Sequence, residues 1–200
     1  MTDLSVDLIL EDARIILRPV SMEDLPALQQ IALQFPEIWQ FSLDDSALPG
    51  GMERYLQACI NGRLAGHTLA FVVFDKILGR IIGSSRYYEL ESRQERLSIG
   101  YTWLVPDARG TGINYHMKYL MFRQVFEVWQ MRRVALFADV TNMASVRAME
   151  KAGCVREGVM RDHLWLPNGR RRDTVIYSVL QEDWQMRVKA HLEGLLSQLD

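Results

Sequence analysis

The spacing of apolar and polar positions divides the chain into short alternating runs and a few longer helical ones. "ARIILRPV" alternates and stops at Pro19, which predicts a first strand. "SMEDLPALQQIA" opens a helix, with Ser21 at the cap and Glu23 and Asp24 in the first turn. Residues 35–50 carry prolines, Asp44-Asp45 and Gly50-Gly51 and read as a loop. "MERYLQACINGR" is a second short helix, ended by Asn61-Gly62. "HTLAFVVFD" and "ILGRIIGSSRYY" are β-rich neighbours and predict a hairpin turning near Asp75-Lys76. "RLSIGYTWLV" is a further strand, and a helix follows to about Gln130. That helix sets Ile113, Met117, Leu120, Met121, Val125 and Val128 on one side and Tyr119, Phe122, Phe126 and Trp129 on another. Being apolar nearly all round, it belongs in the interior.

"RVALFADV" reads as a strand, and "NMASVRAMEKAG" as a helix with Gly153 placed to end it. "VREGVMRDHLWL" and "RRDTVIYSVL" flank "PNGR", a hairpin signal centred on Asn168-Gly169. The tail "EDWQMRVKAHLEGLLSQL" spaces Val188, Leu192, Leu195 and Leu199 for one face of an amphipathic helix, to be laid on the body or on a partner. The strand at 97–105, the helix at 113–130 and the strand at 133–140 make a crossover unit, which joins parallel strands with right-handed connectivity. The other neighbours are hairpins. The expected class is therefore α/β (α+β): a mixed, mostly antiparallel seven-stranded sheet with a central parallel pair and helices on both faces. One domain over residues 1–182 and a C-terminal helical extension over 183–200 are expected. No internal repeat is present.

Composition narrows the function classes. At 200 residues, 48% hydrophobic and 24% charged, the chain has the balance of an ordinary globular protein. With 23 basic and 25 acidic side chains the net charge is −2, so no global positive field calls for nucleic acid. No apolar run approaches the roughly 20 residues that span a bilayer. Acids stand near the N-terminus where a signal peptide carries bases, which predicts a cytoplasmic protein without membrane partners. Cys59 and Cys154, without a C-x-x-C, read as buried free thiols. His67, His116 and His191 show no ligand spacing, and no metal site is expected.

The chemistry begins at "VPDARGTGIN". Two glycines stand behind an arginine, between a strand and a buried helix. A helix start leaves about four N–H groups without partners and carries the positive end of the dipole. Gly110 and Gly112 let a ligand approach the backbone, and Arg109 adds a charged donor. That combination is a seat for phosphate, or else an ordinary tight turn. It is neither a G-x-x-x-x-G-K-[ST] loop nor a dinucleotide fingerprint, because Tyr115 stands where the third glycine would be.

With this order of elements, the stretch resembles the pyrophosphate loop of the GNAT acyltransferase superfamily, R/Q-x-x-G-x-G/A behind a proline: Pro106, Arg109, Gly112, with Asn114 where glycine or alanine is usual. "TNMASVRAMEKAGCVREGV" resembles a second family stretch, with Asn142, Ser145, Lys151 and Gly153 in step and Cys154 replacing an aromatic. "EGVMRDHLWLPNGRRRDTVIYSV" is similar to the closing hairpin of the RimJ/RimL-type branch, which acetylates protein N-termini and small amines. The resemblance spans about residues 12–182. It implies acetyl-CoA as co-substrate, lying between the two parallel strands. The backbone of Thr102, Trp103 and Leu104 would face the pantetheine arm. Arg109, Gly110, Thr111, Gly112, Ile113 and Asn114 would hold the pyrophosphate. Asn142 would lie beside the pantetheine and Ser145 near the sulfur. Lys118 is expected to reach a phosphate or to be a solvated charge.

Amine acetylation needs a neutral amine, a polarised thioester carbonyl and a stabilised leaving thiolate. An α-amino group, near pKa ~8, is easier to deprotonate than an alkylamine near ~10.4. A backbone N–H at Leu104 would serve the oxyanion. In the family the thiolate's donor is often a tyrosine seven residues after the motif asparagine; here that position is Met149, which leaves Ser145 as the candidate. His163, beside Asp162 on a strand, is the candidate base. Glu89, Glu91 and Glu95 are its rivals. The resemblance implies an N-acetyltransferase acting by direct transfer on a small-molecule amine or protein N-terminus, possible as a homodimer. The alternatives are a catalytically inactive acyl-CoA-binding sensor or scaffold, and a partner protein docking through its last helix.

Overall fold

The computed structural model describes residues 3–5, 7–44, 46 and 48–199; Asp45, within the expected loop, lies outside the described residues. One eight-stranded sheet runs through the molecule in the order β1-β2-β3-β4-β5-β6-β8-β7. Its strands are β1 (Leu10–Glu11), β2 (Ile15–Pro19), β3 (Thr68–Asp75), β4 (Arg80–Glu91), β5 (Arg96–Leu104), β6 (Arg133–Asp139), β7 (Val155–Trp165) and β8 (Arg171–Leu180). Every neighbouring pair is antiparallel except β5 with β6. The strand beyond the seven expected is β1. Two residues carry no readable periodicity, and only the register Leu10↔Leu17 and Glu11↔Ile16 holds them at the edge.

Alternation along the strands assigns the two faces. Leu69, Phe71 and Val73 of β3, with Tyr87 of β4, share a core with helix α3 (Ile113–Arg123). Ala70 and Val72 point the other way, into a second core with α1 (Leu25–Gln34) and α2 (Gly51–Leu64) through Leu28, Leu56 and Cys59. Helix α3 is buried as its composition requires and continues into a π-helical turn at Gln124–Val128. Val128 is the exception and faces solvent. Helix α4 (Met143–Lys151) follows β6.

The tail folds onto its own body. It runs through α5 (Gln181–Asp183), a π-helical turn at Trp184–Val188, and α6 (Lys189–Leu196). Trp184, Val188 and Leu192 are fully buried in the same core as α3. The Trp184 ring stacks on Phe126 at 5.9 Å between centroids, and its Nε1 donates to Glu127 Oε1 at 3.1 Å. At the far end, Leu199 is 45% exposed, yet its side chain lies over Gly112.

Candidate active site

The parallel pair opens into a fork. Strands β5 and β6 are paired only over Arg96–Ser98 and Arg133–Ala135, although β5 continues to Leu104. The cause is a bulge. Gly100 lies opposite Arg86 and Trp103 opposite Ser84, so Tyr101 and Thr102 together face Ser85. Tyr101 takes φ +51°, a left-handed conformation costly for an aromatic residue and frequent where strain serves a site. Val105 N–H donates back to Ile82 O at 2.9 Å. By alternation Leu104 N–H then points away from β4, into the fork. Leu104 O is on that side too, and accepts from Arg109 Nε at 3.0 Å.

The glycine loop stands at the mouth of the fork. Gly110 and Gly112 have φ +77° and +89°, values that glycine reaches without a Cβ penalty. A Cβ on Gly110 would meet nothing within 4 Å. No side chain caps α3, whose N-cap is Gly112, so its first N–H groups remain open to a ligand. Thr111 Oγ1 closes the loop internally on Ala108 O at 2.8 Å. Arg109 is exposed, and among the described residues no carboxylate is paired with it. Ile113 is buried beneath the loop, and the half-buried Asn114 stands on the first turn. Lys118, expected as a phosphate ligand or a solvated charge, is instead 4% exposed, and burial lowers its pKa to about 8 against the opposing effect of Cys154. The all-round apolar character of α3 draws this position inside with its neighbours.

Helix α4 leaves the end of β6. Asn142 is its N-cap, and Oδ1 accepts from Ser145 N at 3.1 Å. That engages the oxygen and leaves the amide nitrogen to donate. The Ser145 hydroxyl is half-exposed and has no partner among the described residues. Met149 is buried in the core.

On the second wing, His163 Nδ1 lies 3.0 Å from Thr174 Oγ1, the atom that also accepts from Arg172 Nε at 3.0 Å. Simple alternation does not hold around His163, because β7 is irregular between Met160 and Leu164 and Asp162 takes φ +53°. Asp162 is turned to Arg171 rather than to the imidazole. Of the rival carboxylates, Glu91 is paired with Arg96, and Glu95 sits at a left-handed turn whose carbonyl binds Arg132 and Arg133 N–H. Glu89 Oε2 accepts from Ser98 Oγ at 2.8 Å beside the base of the fork.

A further group was not singled out by the sequence. Ser84, Arg86 and Tyr88 alternate along β4 on the face toward α2, where a middle strand would ordinarily bury apolar residues. The Arg86 guanidinium carbon lies over the Tyr101 ring, 3.8 Å from its centroid, and 5.0 Å from that of Tyr55 of α2. Trp39 packs edge-on against Trp103 at 5.3 Å. The readable signal was a polar period of two inside "GSSRYY". Among the described residues, no group of three or more His, Cys, Asp or Glu side chains could hold a metal ion, and no helix is long and apolar enough to cross a membrane.

A split parallel pair, a bulge that aims an amide into the split, and an uncapped glycine-mouthed helix are the parts of an acyl-CoA transferase site. Comparison with known proteins agrees. The acetyltransferase (GNAT) domain matches residues 14–155, and the chain belongs to that family; it is an acetyl-CoA-dependent acetyltransferase. A Bacillus subtilis (strain 168) relative named "Putative ribosomal N-acetyltransferase YdaF" is 30% identical over 141 residues, 70% of either chain. The fold is shared with a GCN5-related N-acetyltransferase from Brucella melitensis, at TM-score 0.86 and 23% identity, covering 98% of this chain and 86% of that one. It is shared too with Mycobacterium smegmatis RimJ solved with a CoA-disulfide, at TM-score 0.84 and 18% identity, covering 97% of both.

Proposed function

We propose that the protein acetylates an amino group, at a protein N-terminus or on a small molecule, by direct transfer without an acetylated enzyme. The observation that carries this is the fork. Its mouth stands at the glycine loop, and the Tyr101 bulge on β5 packs on Arg86 beside Tyr55 of α2, so donor and acceptor would meet across one gap. A double-displacement route needs a nucleophile, and burial raises the pKa of both thiols, Cys154 to about 12. In this reading Arg109 and the N–H groups from Gly110 to Asn114 hold the pyrophosphate. The Thr102–Leu104 edge and Asn142 hold the pantetheine arm. The Leu104 N–H donates to the thioester oxygen, where negative charge grows. The Ser145 hydroxyl donates to the departing sulfur. His163 takes the amine proton, Nε2 being the basic atom when Nδ1–H donates to Thr174 Oγ1; Glu89 is the alternative.

The word "ribosomal" in the printed name of the Bacillus relative favours a ribosomal acceptor over a small molecule, and a protein N-terminus is the amine we take it to present. The test is release of free CoA thiol from acetyl-CoA over a panel of peptides and small amines. Amine-dependent release is expected, fastest with a peptide N-terminus. Tight acetyl-CoA binding with no release for any amine would instead make the protein a CoA-ester sensor.

A further inference from the structure

Of the buried side-chain polar atoms without a well-formed hydrogen bond among the described residues, five lie together: Trp39 Nε1, Tyr55 OH, Ser84 Oγ, Arg86 Nε and Trp103 Nε1, with the Tyr55 hydroxyl near enough to Arg86 and Ser84 to interact with both. The other two are nitrogens of Arg14 and Arg63, whose guanidiniums are already paired with Asp75 and Asp7. The five come from the turn at Pro36–Trp39, α2, β4 and β5, and converge on the face that the bulge opens. Buried polar groups normally find partners, so such a cluster signals a missing one.

The chemistry of the cluster says what is missing. Indole N–H and guanidinium N–H groups donate and cannot accept. Three of the five orphans are therefore obligate donors, and Tyr55 and Ser84 can donate as well. The surplus calls for an acceptor of several hydrogen bonds. It also calls for negative charge. Arg86 has no ion-pair partner among the described residues, and the nearby carboxylates are engaged: Glu89 by Ser98, Asp44 by Ser46, Asp139 by Thr141 and Arg170. A second guanidinium, Arg172, is buried nearby and acts with Arg86 on the Tyr88 hydroxyl. Arg86 lies over the Tyr101 and Tyr55 rings, and contact with an aromatic ring compensates a desolvated cation only in part. A planar guanidinium fork fits a carboxylate with two parallel hydrogen bonds.

We infer that this cluster is the acceptor's recognition site and that it selects an amine accompanied by a carboxylate, bound through Arg86. The inference rests on the acetyl-transfer reading above. Arg86 stands opposite Gly100, one residue before the bulge. The carboxylate is therefore close to the reacting nitrogen: the α-carboxylate of a free amino acid, or the side chain of an acidic residue at the start of a peptide.

The test compares acceptors that differ only in charge. Glutamyl-alanine amide is set against glutaminyl-alanine amide, and free alanine against alaninamide. Each is assayed with wild type, Arg86→Lys and Arg86→Gln, beside a direct titration of acetyl-CoA. The expected result is a preference in kcat/KM of about tenfold or more for the acid of one pair, carried mainly by KM. Arg86→Gln abolishes it, Arg86→Lys weakens it, and acetyl-CoA affinity is unchanged. The pair that shows the preference identifies the source of the carboxylate. Equal rates for acid and amide in both pairs, or a preference that survives Arg86→Gln, overturns the inference while leaving acetyl transfer intact. If no acceptor turns over, melting temperatures with the same four compounds decide: stabilisation by the acids alone, lost in Arg86→Lys, supports the carboxylate site, and equal shifts reject it. Failure to bind acetyl-CoA would instead count against the transfer reading.

Discussion

At the scale of single residues, Ser145 and Lys118 make opposite demands. The Ser145 hydroxyl stands free at the start of α4. A thioester sulfur is nearly neutral, but charge grows on it as the carbon–sulfur bond breaks, so a hydroxyl there matters more in the transition state than in the ground state. Ser145→Ala is expected to lower kcat roughly ten- to a hundredfold, on the order of 1.5–3 kcal/mol, with acetyl-CoA affinity little changed. Steady-state kinetics beside a titration checks this, and unchanged kcat with chemistry rate-limiting would reduce the serine to a packing residue. Lys118 is a buried base. Burial lowers it from 10.5 to about 8, so below pH 8 both folded and unfolded chains carry the charge and the full cost of burying it is present. Between about 8 and 10.5 only the unfolded chain is protonated, and stability rises with pH. The cost near pH 7 is on the order of 3 kcal/mol. Lys118→Met is expected to raise the melting temperature at pH 7, by an amount that fades toward pH 10.5; a gain that does not fade would be a packing effect. The sequence could not show this burial, because a lysine among apolar residues on a helix reads equally well as a solvated stripe. Arg86 escaped for a related reason: only the fold reveals that its strand has covered faces and no carboxylate to spare.

At the scale of elements, the loop between β5 and α3 was readable because turn chemistry is local. An arginine, two glycines and a buried helix after a strand leave few alternatives. The bulge at Tyr101 was not readable, since a left-handed tyrosine carries no residue signature and only the register against β4 exposes it. The edge strand β1 was missed because its pairing, not its composition, defines it. Leu199 over Gly112 belongs to the same class of feature, the two residues being far apart in the chain. It also decides how to probe the loop. A Cβ on Gly112 would meet the end of the Leu199 side chain, so a substitution there moves Leu199 as well as altering the loop. Gly110 has open space and a left-handed φ that aspartate tolerates better than most residues. Gly110→Asp is expected to weaken acetyl-CoA binding about tenfold or more by placing charge against the diphosphate, at a cost to stability of about 1–2 kcal/mol. Calorimetric titration beside a melting curve separates the two; parental affinity would place the pyrophosphate elsewhere.

At the scale of the whole molecule, the architecture is two sheet wings joined at a short parallel pair and held apart beyond it. Helices α1 and α2 cover one face, and α3 with the C-terminal helix covers the other. The glycine loop before α3 and the Asn142 cap of α4 were legible because each is local in the chain. The Arg86 cluster was not, because Trp39, Tyr55, Arg86, Trp103 and Arg172 are gathered from five separate segments. In the proposed reading both substrates would meet in one gap, and burial raises the pKa of both thiols, so direct transfer is the central claim. The measurement that tests it most directly is an initial-rate matrix over acetyl-CoA and acceptor, with the intact mass of the protein taken from quenched samples during turnover. Direct transfer predicts double-reciprocal lines that intersect and a protein that is never acetylated. Parallel lines, with an acetyl group found on the protein before the acceptor is added, would contradict it.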